Sequence, residues 1–130
     1  MLGDRIAITV ALTPPRPQGV AASRERRESS RAVAERVLHA RRRAAQRLSA
    51  TPWRTNAEIP ASALHADFRV SDAALKPIVA SVDRGALSAS GVDQVLRIAW
   101  TLADLSGKSA PDHDDVAAAR ALHHGDDVMA

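Results

Sequence analysis

Apolar residues along this chain recur mostly at the spacing of a helix. The clearest pattern consists of apolar residues three or four positions apart: Val92, Val95, Leu96, Ala99, Leu102 and Leu105. Such a stripe is typical of an amphipathic helix that packs against a core. Ser88 stands before the stripe as a candidate N-cap, and Gly107 follows it as a candidate stop. The sequence therefore predicts a long helix between Ser88 and Gly107.

Four further helices are indicated by weaker versions of this pattern, over about 29–50, 60–67, 71–85 and 112–125. Serine is a candidate N-cap for the first and third, and Asp112 with Asp115 resembles a capping box for the last. Pro77 lies inside the third and predicts a kink or a late start. The residues expected to face inward are Val33, Val37, Ala40, Ala44 and Leu48, then Leu75, Ile78, Val79 and Val82, and finally Val116, Ala119 and Leu122.

The N-terminal end differs, because apolar residues there alternate with a period of two. Ile6, Ile8 and Val10 form this alternation, which predicts a strand over 1–12. A single strand has no sheet to join within the chain, which suggests a piece of a larger protein.

The expected organisation follows from these patterns. Three prolines and a glycine in 13–19 predict a linker that extends through 28. The predicted fold is mostly α: a small bundle of four to five helices over 29–125, preceded by a short N-terminal β-strand (1–12) and a Pro-rich linker (13–28), and followed by a tail over 126–130.

Composition adds a basic block and excludes several classes of site. Residues 24–47 hold nine arginines against three glutamates, although the whole chain carries only +3. Such a block is often a solvated helix face, but it can also meet phosphates or an acidic neighbouring subunit. The chain contains no cysteine, so it has no disulfide or thiolate metal site, which fits a cytoplasmic location. We expect no membrane span, since no apolar run approaches the required length.

The sequence contains no recognisable motif for binding ATP or a metal ion. The segment 107–109 reads Gly-Lys-Ser, but it follows a helix, and Leu102 stands where a P-loop needs its first glycine. We therefore interpret Gly107 as a helix C-cap. The histidines and aspartates after residue 112 match no metal-ligand spacing, so we expect no metal site and no cofactor bound by this chain alone.

Four stretches carry a family resemblance. Residues 87–105 resemble the C-terminal helix of magnesium-chelatase-like ATPases, in which a leucine and a small hydroxyl residue precede a helix ending in alanine-aspartate-leucine. Residues 41–47 resemble the arginine- and glutamine-rich helix of that family, and 55–57 the asparagine-alanine element that follows it. Residues 2–6 resemble a segment near the end of the AAA+ core. The stretches occur in the family's order, so the chain resembles the C-terminal lid of a ComM/YifB-like AAA+ ATPase.

The resemblance implies partners and cofactors. In such ATPases, ATP and Mg lie between an α/β core and a helical lid. The implied partners are therefore the AAA+ core and the neighbouring subunits of a ring, with DNA as a candidate substrate.

The resemblance also implies roles for individual residues. Arg5 matches an arginine finger that reaches the γ-phosphate of the neighbouring subunit. The usual lid arginine is replaced by Ser90, and a second arginine by Gln94, so Arg97 is the nearest remaining candidate for a nucleotide contact. Otherwise, Arg97 is expected to pair with an aspartate on its own helix. The candidates for contact with nucleic acid or a partner are Arg41, Arg42, Arg43 and Arg47.

Two other functions stay open at this point. The basic block is compatible with a small helical nucleic-acid-binding protein that stands alone, although no aromatic residue interleaves the arginines. The replacement at Ser90 is compatible with an inactive gene remnant.

Overall fold

The computed structural model describes residues 6–10 and 29–125. These residues form five α-helices and one short 3-10 helix. The α-helices are α1 (Ser30–Arg47), α2 (Ala61–Leu64), α3 (Asp72–Asp83), α4 (Ala89–Ser106) and α5 (His113–His124), and the 3-10 helix is Asn56–Glu58. The prediction of a mostly helical bundle is confirmed. Within the described ranges, no helix is both long enough and apolar enough to cross a bilayer.

Helix α4 is the centre of the bundle. It contacts α1, the 3-10 helix, α2 and α5, while α5 also packs against α3. Val95, Ala99 and Ala103 on α4 are fully buried, as is Val116 on α5. Small alanines at these contacts let the helix backbones approach closely, which explains how a core with few aromatics can be densely packed.

The helix ends follow the predicted capping signals. Ser71 and Ser88 accept hydrogen bonds from the backbone N–H groups of Ala74 and Gly91, so both are N-caps as expected. At the end of α4, Gly107 adopts a left-handed conformation (φ 77°) that confirms its prediction as a C-cap.

Helix α1 projects from the bundle more than its apolar stripe predicted. Ala40, Ala44 and Leu48 are buried as expected, but Val33 and Val37 are exposed. The helix also ends at Arg47 rather than near residue 50. A periodic stripe shows which face can be buried, but not how far along the helix its neighbours extend.

Helix α3 buries a different face from the one that the sequence predicted. Its buried residues are Ala74, Ile78 and Ser81, whereas Val79 and Val82 are 50% and 44% exposed. The small alanine and serine allow close packing, so the larger valines are left beside an open groove of about 250 Å³ next to α4. Pro77 causes no late start, since the helix begins at Asp72.

The predicted N-terminal strand is absent from residues 6–10, the part of 1–12 that the structure describes. Alternating apolar residues form a strand only beside another strand, and no strand lies in the described ranges. The N–H of Thr9 instead donates to the carbonyl of Leu122 on α5 (2.9 Å). The linker 13–28 and the tail 126–130 lie outside the described residues.

The start of α5 is a capping box, as predicted. The Asp112 carboxylate accepts from the backbone N–H of Asp115, and the Asp115 carboxylate accepts from that of Asp112. The ammonium group of Lys108 lies 2.7 Å from Asp112 and 3.3 Å from Asp115. The hydrogen bond from Lys108, followed by that from the Asp115 backbone, lowers the pKa of Asp112 from 3.8 to about 2.

This lowered pKa predicts a pH-dependent contribution to stability. The folded chain favours ionised Asp112, so the contribution is present above the unfolded pKa of 3.8 and is lost as the pH falls through about 2. Asp112→Asn keeps a capping oxygen but removes the charge. We expect the variant to unfold at lower urea than the wild-type chain at about pH 6, and the difference to shrink toward about pH 2. A difference that stays constant over this range contradicts the prediction.

Candidate functional site

Three stretches that are separate in the sequence meet at one buried polar cluster, which we call the clamp: Arg47, Asn56 and Asp104. Arg47 ends α1, Asn56 begins the 3-10 helix, and Asp104 lies in the last turns of α4. Arg47 Nη1 donates to Asp104 Oδ1 (2.6 Å), and Nη2 donates to Asp104 Oδ2 (2.9 Å). This is the bidentate arrangement in which arginine and carboxylate bind most strongly.

Asn56 completes the clamp by accepting from one partner and donating to the other. Its Oδ1 accepts from Arg47 Nη2 (2.7 Å), and its Nδ2 donates to Asp104 Oδ2 (2.9 Å) and to Thr101 Oγ1 (3.1 Å). The Asp104 side chain is only 2% exposed and that of Arg47 17%. Both charges are therefore largely removed from water and paired with one another, although the buried Nε of Arg47 has no hydrogen-bond partner among the described residues.

Trp100 forms the apolar wall beside the clamp. The guanidinium carbon of Arg47 lies 4.4 Å from the centroid of the Trp100 ring, a cation–π distance. Phe68 meets the Trp100 ring edge-on (centroids 6.1 Å apart), and its carbonyl accepts from Trp100 Nε1 (3.2 Å). These contacts fix Trp100 and the clamp as one unit.

The arginines of α1 have different surroundings. Arg47, a predicted contact residue for nucleic acid or a partner, is engaged by Asp104 inside the clamp. Arg41, Arg42 and Arg43 are exposed. Arg43 lies against Gly107, where an added Cβ would be 3.1 Å from its Nη2. The structure therefore gives Arg47 a role in holding α1 to α4, and leaves the contact role of the other three a prediction.

The start of α4 carries the residues predicted near a nucleotide. Ser90 is exposed in the first turn, and its hydroxyl lies 3.3 Å from that of Ser88. Arg97 is half-buried two turns later, and its Nε donates to the carbonyl of Ile59 (2.9 Å). Arg5 lies outside the described residues.

The expected pairing of Arg97 with an aspartate of its own helix is wrong. Asp93 lies 2.8 Å from His65 Nε2, and Asp104 is held by Arg47. Both carboxylates thus take partners from other parts of the chain, so Arg97 turns to the backbone of Ile59.

The segment Gly107-Lys108-Ser109 does not form a phosphate-binding loop. Gly107 closes α4, and the next N–H, that of Lys108, donates to the Ala103 carbonyl (2.9 Å) rather than to a phosphate. The Lys108 ammonium is bound by Asp112 and Asp115. Across 6–10 and 29–125, no group of three or more acidic, histidine or cysteine side chains is arranged to hold a metal ion.

Comparison with known protein families gives a match that covers the clamp. A family model described as magnesium chelatase, subunit ChlI C-terminal, matches residues 27–123. That range includes the whole clamp and nearly all of the helical bundle.

Uncharacterized proteins from Mycobacterium bovis and from two strains of Mycobacterium tuberculosis are each 50% identical to the chain over 92 residues. The match covers 71% of this chain but 18% of each relative, so the chain spans less than a fifth of their length. No solved structure matches the chain.

Proposed function

The chain belongs to the magnesium chelatase ChlI C-terminal family, and we propose that it acts as the helical lid of a ComM/YifB-like AAA+ ATPase. In this role it contributes to the assembly of the motor, while ATP and Mg are bound by an AAA+ core. We place this activity in the cytoplasm, in a ring with neighbouring subunits.

The clamp is the observation that carries this proposal. It joins the three stretches within 29–125 that resemble the family: the end of α1, the asparagine of the 3-10 helix and the aspartate near the end of α4. A largely buried, bidentate arginine–carboxylate pair fixes the relative position of helices far apart in sequence. A lid requires such rigidity, because it must move over a nucleotide as one body.

In this proposal, the residues that act on nucleotide are Arg5, near the N-terminus, and Arg97 on α4. Arg5 acts as the arginine finger toward a neighbouring subunit, where its charge stabilises the transferred phosphoryl group. Ser90 stands where the family usually has the lid arginine, so that position carries no charge. Arg97 is anchored to Ile59, so we propose that it chiefly maintains the shape of the lid and contacts nucleotide weakly.

Association with an AAA+ core tests this function. The probe is the core of a magnesium-chelatase-family ATPase from which its own C-terminal helical domain has been deleted. We expect this chain to co-sediment with that core in analytical ultracentrifugation, and the complex to be lost with an unfolded variant of the chain. A lack of association at micromolar concentrations, together with full activity of the core alone, contradicts the proposal.

A second candidate, DNA binding, is favoured by one observation: Arg41, Arg42 and Arg43 are all exposed on a projecting helix. Contacts from arginine to phosphate release counterions, so affinity would fall steeply with salt. We expect fluorescence anisotropy with labelled duplex DNA to detect micromolar binding at low salt, and replacement of the three arginines by glutamine to abolish it. Absence of binding by the unmodified chain eliminates this candidate.

A further inference from the structure

An open groove of about 290 Å³ lies beside the clamp, between α1, the 3-10 helix and α4. Val37 on α1 and Leu105 on α4 line this groove and are 40% and 38% exposed. Both belong to apolar stripes that predict burial, so the two helices leave that burial incomplete here. Ala40 and Ala44 also line the groove, and their small side chains leave room for an apolar residue from outside the chain.

The apolar row on α1 continues beyond the groove. Val33 precedes Val37 by about one helical turn and is also exposed. The row from Val33 to Ala44 extends over about 16 Å, which is about three turns. An apolar groove on a protein surface is a common docking place for the apolar face of a partner helix. The row therefore matches in length a partner helix of about three turns or more.

Two arginines give the groove a positive charge. Arg41 and Arg54 both line it, and both are exposed. Arg54 Nη1 donates to the carbonyls of Thr51 (3.0 Å) and Trp53 (2.9 Å), which orient the guanidinium but do not neutralise its charge. None of the ion pairs among the described residues includes Arg41 or Arg54. Both charges are thus open to a carboxylate from a partner.

The carboxylates around the groove are engaged by other groups. Asp104, which lines the groove, is bound by Arg47 in the clamp. Glu58 Oε1 accepts from the backbone N–H and the hydroxyl of Thr55 (3.2 and 3.0 Å). Helix α1 itself holds six arginines and one glutamate. The groove therefore favours an acidic occupant, whereas a second copy of this chain would bring like charges together.

We propose that this groove docks an acidic amphipathic helix of a partner protein. An apolar side chain on the inner face of that helix enters between Val37 and Leu105, and carboxylates beside it pair with Arg41 and Arg54. The docking site goes beyond the lid function, because it rests on the shape and charge of the groove alone. DNA fits this site less well, since its phosphates would meet the arginines but leave Val37 and Leu105 uncovered.

An NMR titration of the full chain tests the docking site. The probe is a synthetic peptide of about 14 residues with leucines on one face and glutamates on both sides of them, cross-linked on its outer face to stay helical. A second peptide carries lysine in place of each glutamate. We expect the glutamate peptide to bind saturably with a Kd below about 1 mM and the lysine peptide to bind about tenfold more weakly or less.

The amides that shift locate the bound peptide. We expect the largest changes at Val37, Thr101 and Leu105, which line the groove. Lack of saturable binding by the glutamate peptide, or equal binding of the two peptides, overturns the docking site. So do shifts that centre instead on Val79 and Val82, which line the groove between α3 and α4.

Neighbouring residues of α1 provide matched variants. Val37→Ser is compared with Leu38→Ser, since Leu38 is 47% exposed but does not line the groove. We expect Val37→Ser to weaken binding of the glutamate peptide by about fivefold or more, and Leu38→Ser to change it by about twofold or less. Arg41→Gln is compared with Arg42→Gln in the same way, because Arg42 is exposed outside the groove. We expect Arg41→Gln to weaken binding more than Arg42→Gln.

The remaining outcomes identify a different occupant. Equal losses from the two arginine variants with no loss from Val37→Ser indicate general attraction of anions to α1, as for DNA, and overturn the docking site. Analytical ultracentrifugation of the chain without peptide tests for a second copy. A dimer that Val37→Ser dissociates assigns the groove to self-association and overturns the proposal, whereas a monomer supports it.

Discussion

Replacing Asp104 by alanine is expected to lower the free energy of unfolding of the helical bundle by about 3 kcal/mol. The substitution removes the carboxylate that binds two nitrogens of Arg47 and one of Asn56. It leaves the Arg47 charge in a site that is mostly shielded from water, where an unpaired charge is far more costly than in solvent. The loss of hydrogen-bond partners adds to this cost.

A double-mutant cycle with Arg47→Ala measures the interaction energy between Asp104 and Arg47 apart from their contacts with other residues. We expect the double variant to be more stable than the sum of the single losses predicts, by about 2 kcal/mol, because neither charge is then left alone. Urea unfolding followed by circular dichroism measures all four proteins. Asp114→Ala is the control, since that side chain is 94% exposed and its loss should change stability by about 0.5 kcal/mol or less. A loss below about 1 kcal/mol for Asp104→Ala contradicts the structural role of the clamp.

Replacing Trp100 by alanine is expected to destabilise the bundle by about 3–5 kcal/mol. The indole is 5% exposed and lies between the Arg47 guanidinium and the edge of Phe68. Truncation creates a cavity at the centre of the core and removes the cation–π contact as well as the hydrogen bond to the Phe68 carbonyl. A domain of this size has a total stability of about 5–15 kcal/mol, so the variant should lose a large share of it and unfold at a clearly lower temperature.

Trp100→Phe is the matched variant, because it keeps an aromatic ring but loses the indole N–H. We expect it to retain the fold with a loss of about 1–2 kcal/mol. Thermal unfolding followed by circular dichroism compares the stabilities of the alanine and phenylalanine variants without relying on tryptophan fluorescence. An alanine variant within about 1 kcal/mol of the wild-type chain shows that Trp100 is not a core residue.

Local signals in the sequence were sufficient to place the starts of α3, α4 and α5. Serine N-caps at 71 and 88 and the capping box at 112 act over three residues, so their chemistry can be read without knowledge of the fold. The faces of the helices were harder to assign. Val79 and Val82 are exposed because Ala74 and Ser81 pack closely instead, and hydrophobicity alone ranks these residues in the opposite order.

The clamp could not be predicted from spacing, since Arg47 and Asp104 are 57 positions apart. One signal was present. Leu96, Trp100 and Asp104 are spaced by four residues, so the aspartate continues a buried row of α4 and requires a partner. Nothing in the sequence showed which of many arginines supplies it. The contact of residues 6–10 with α5 was equally absent from the sequence pattern, because alternation predicts a strand and contains no information about a helix end.

Stimulation of ATP hydrolysis is the most direct test of the lid function. The rate is measured for a magnesium-chelatase-family AAA+ core without its C-terminal domain, before and after addition of this chain. The lid function predicts that the wild-type chain raises kcat at least about tenfold and that Asp104→Ala fails to do so at a temperature where it is unfolded. A core whose rate is unchanged by saturating wild-type chain contradicts it.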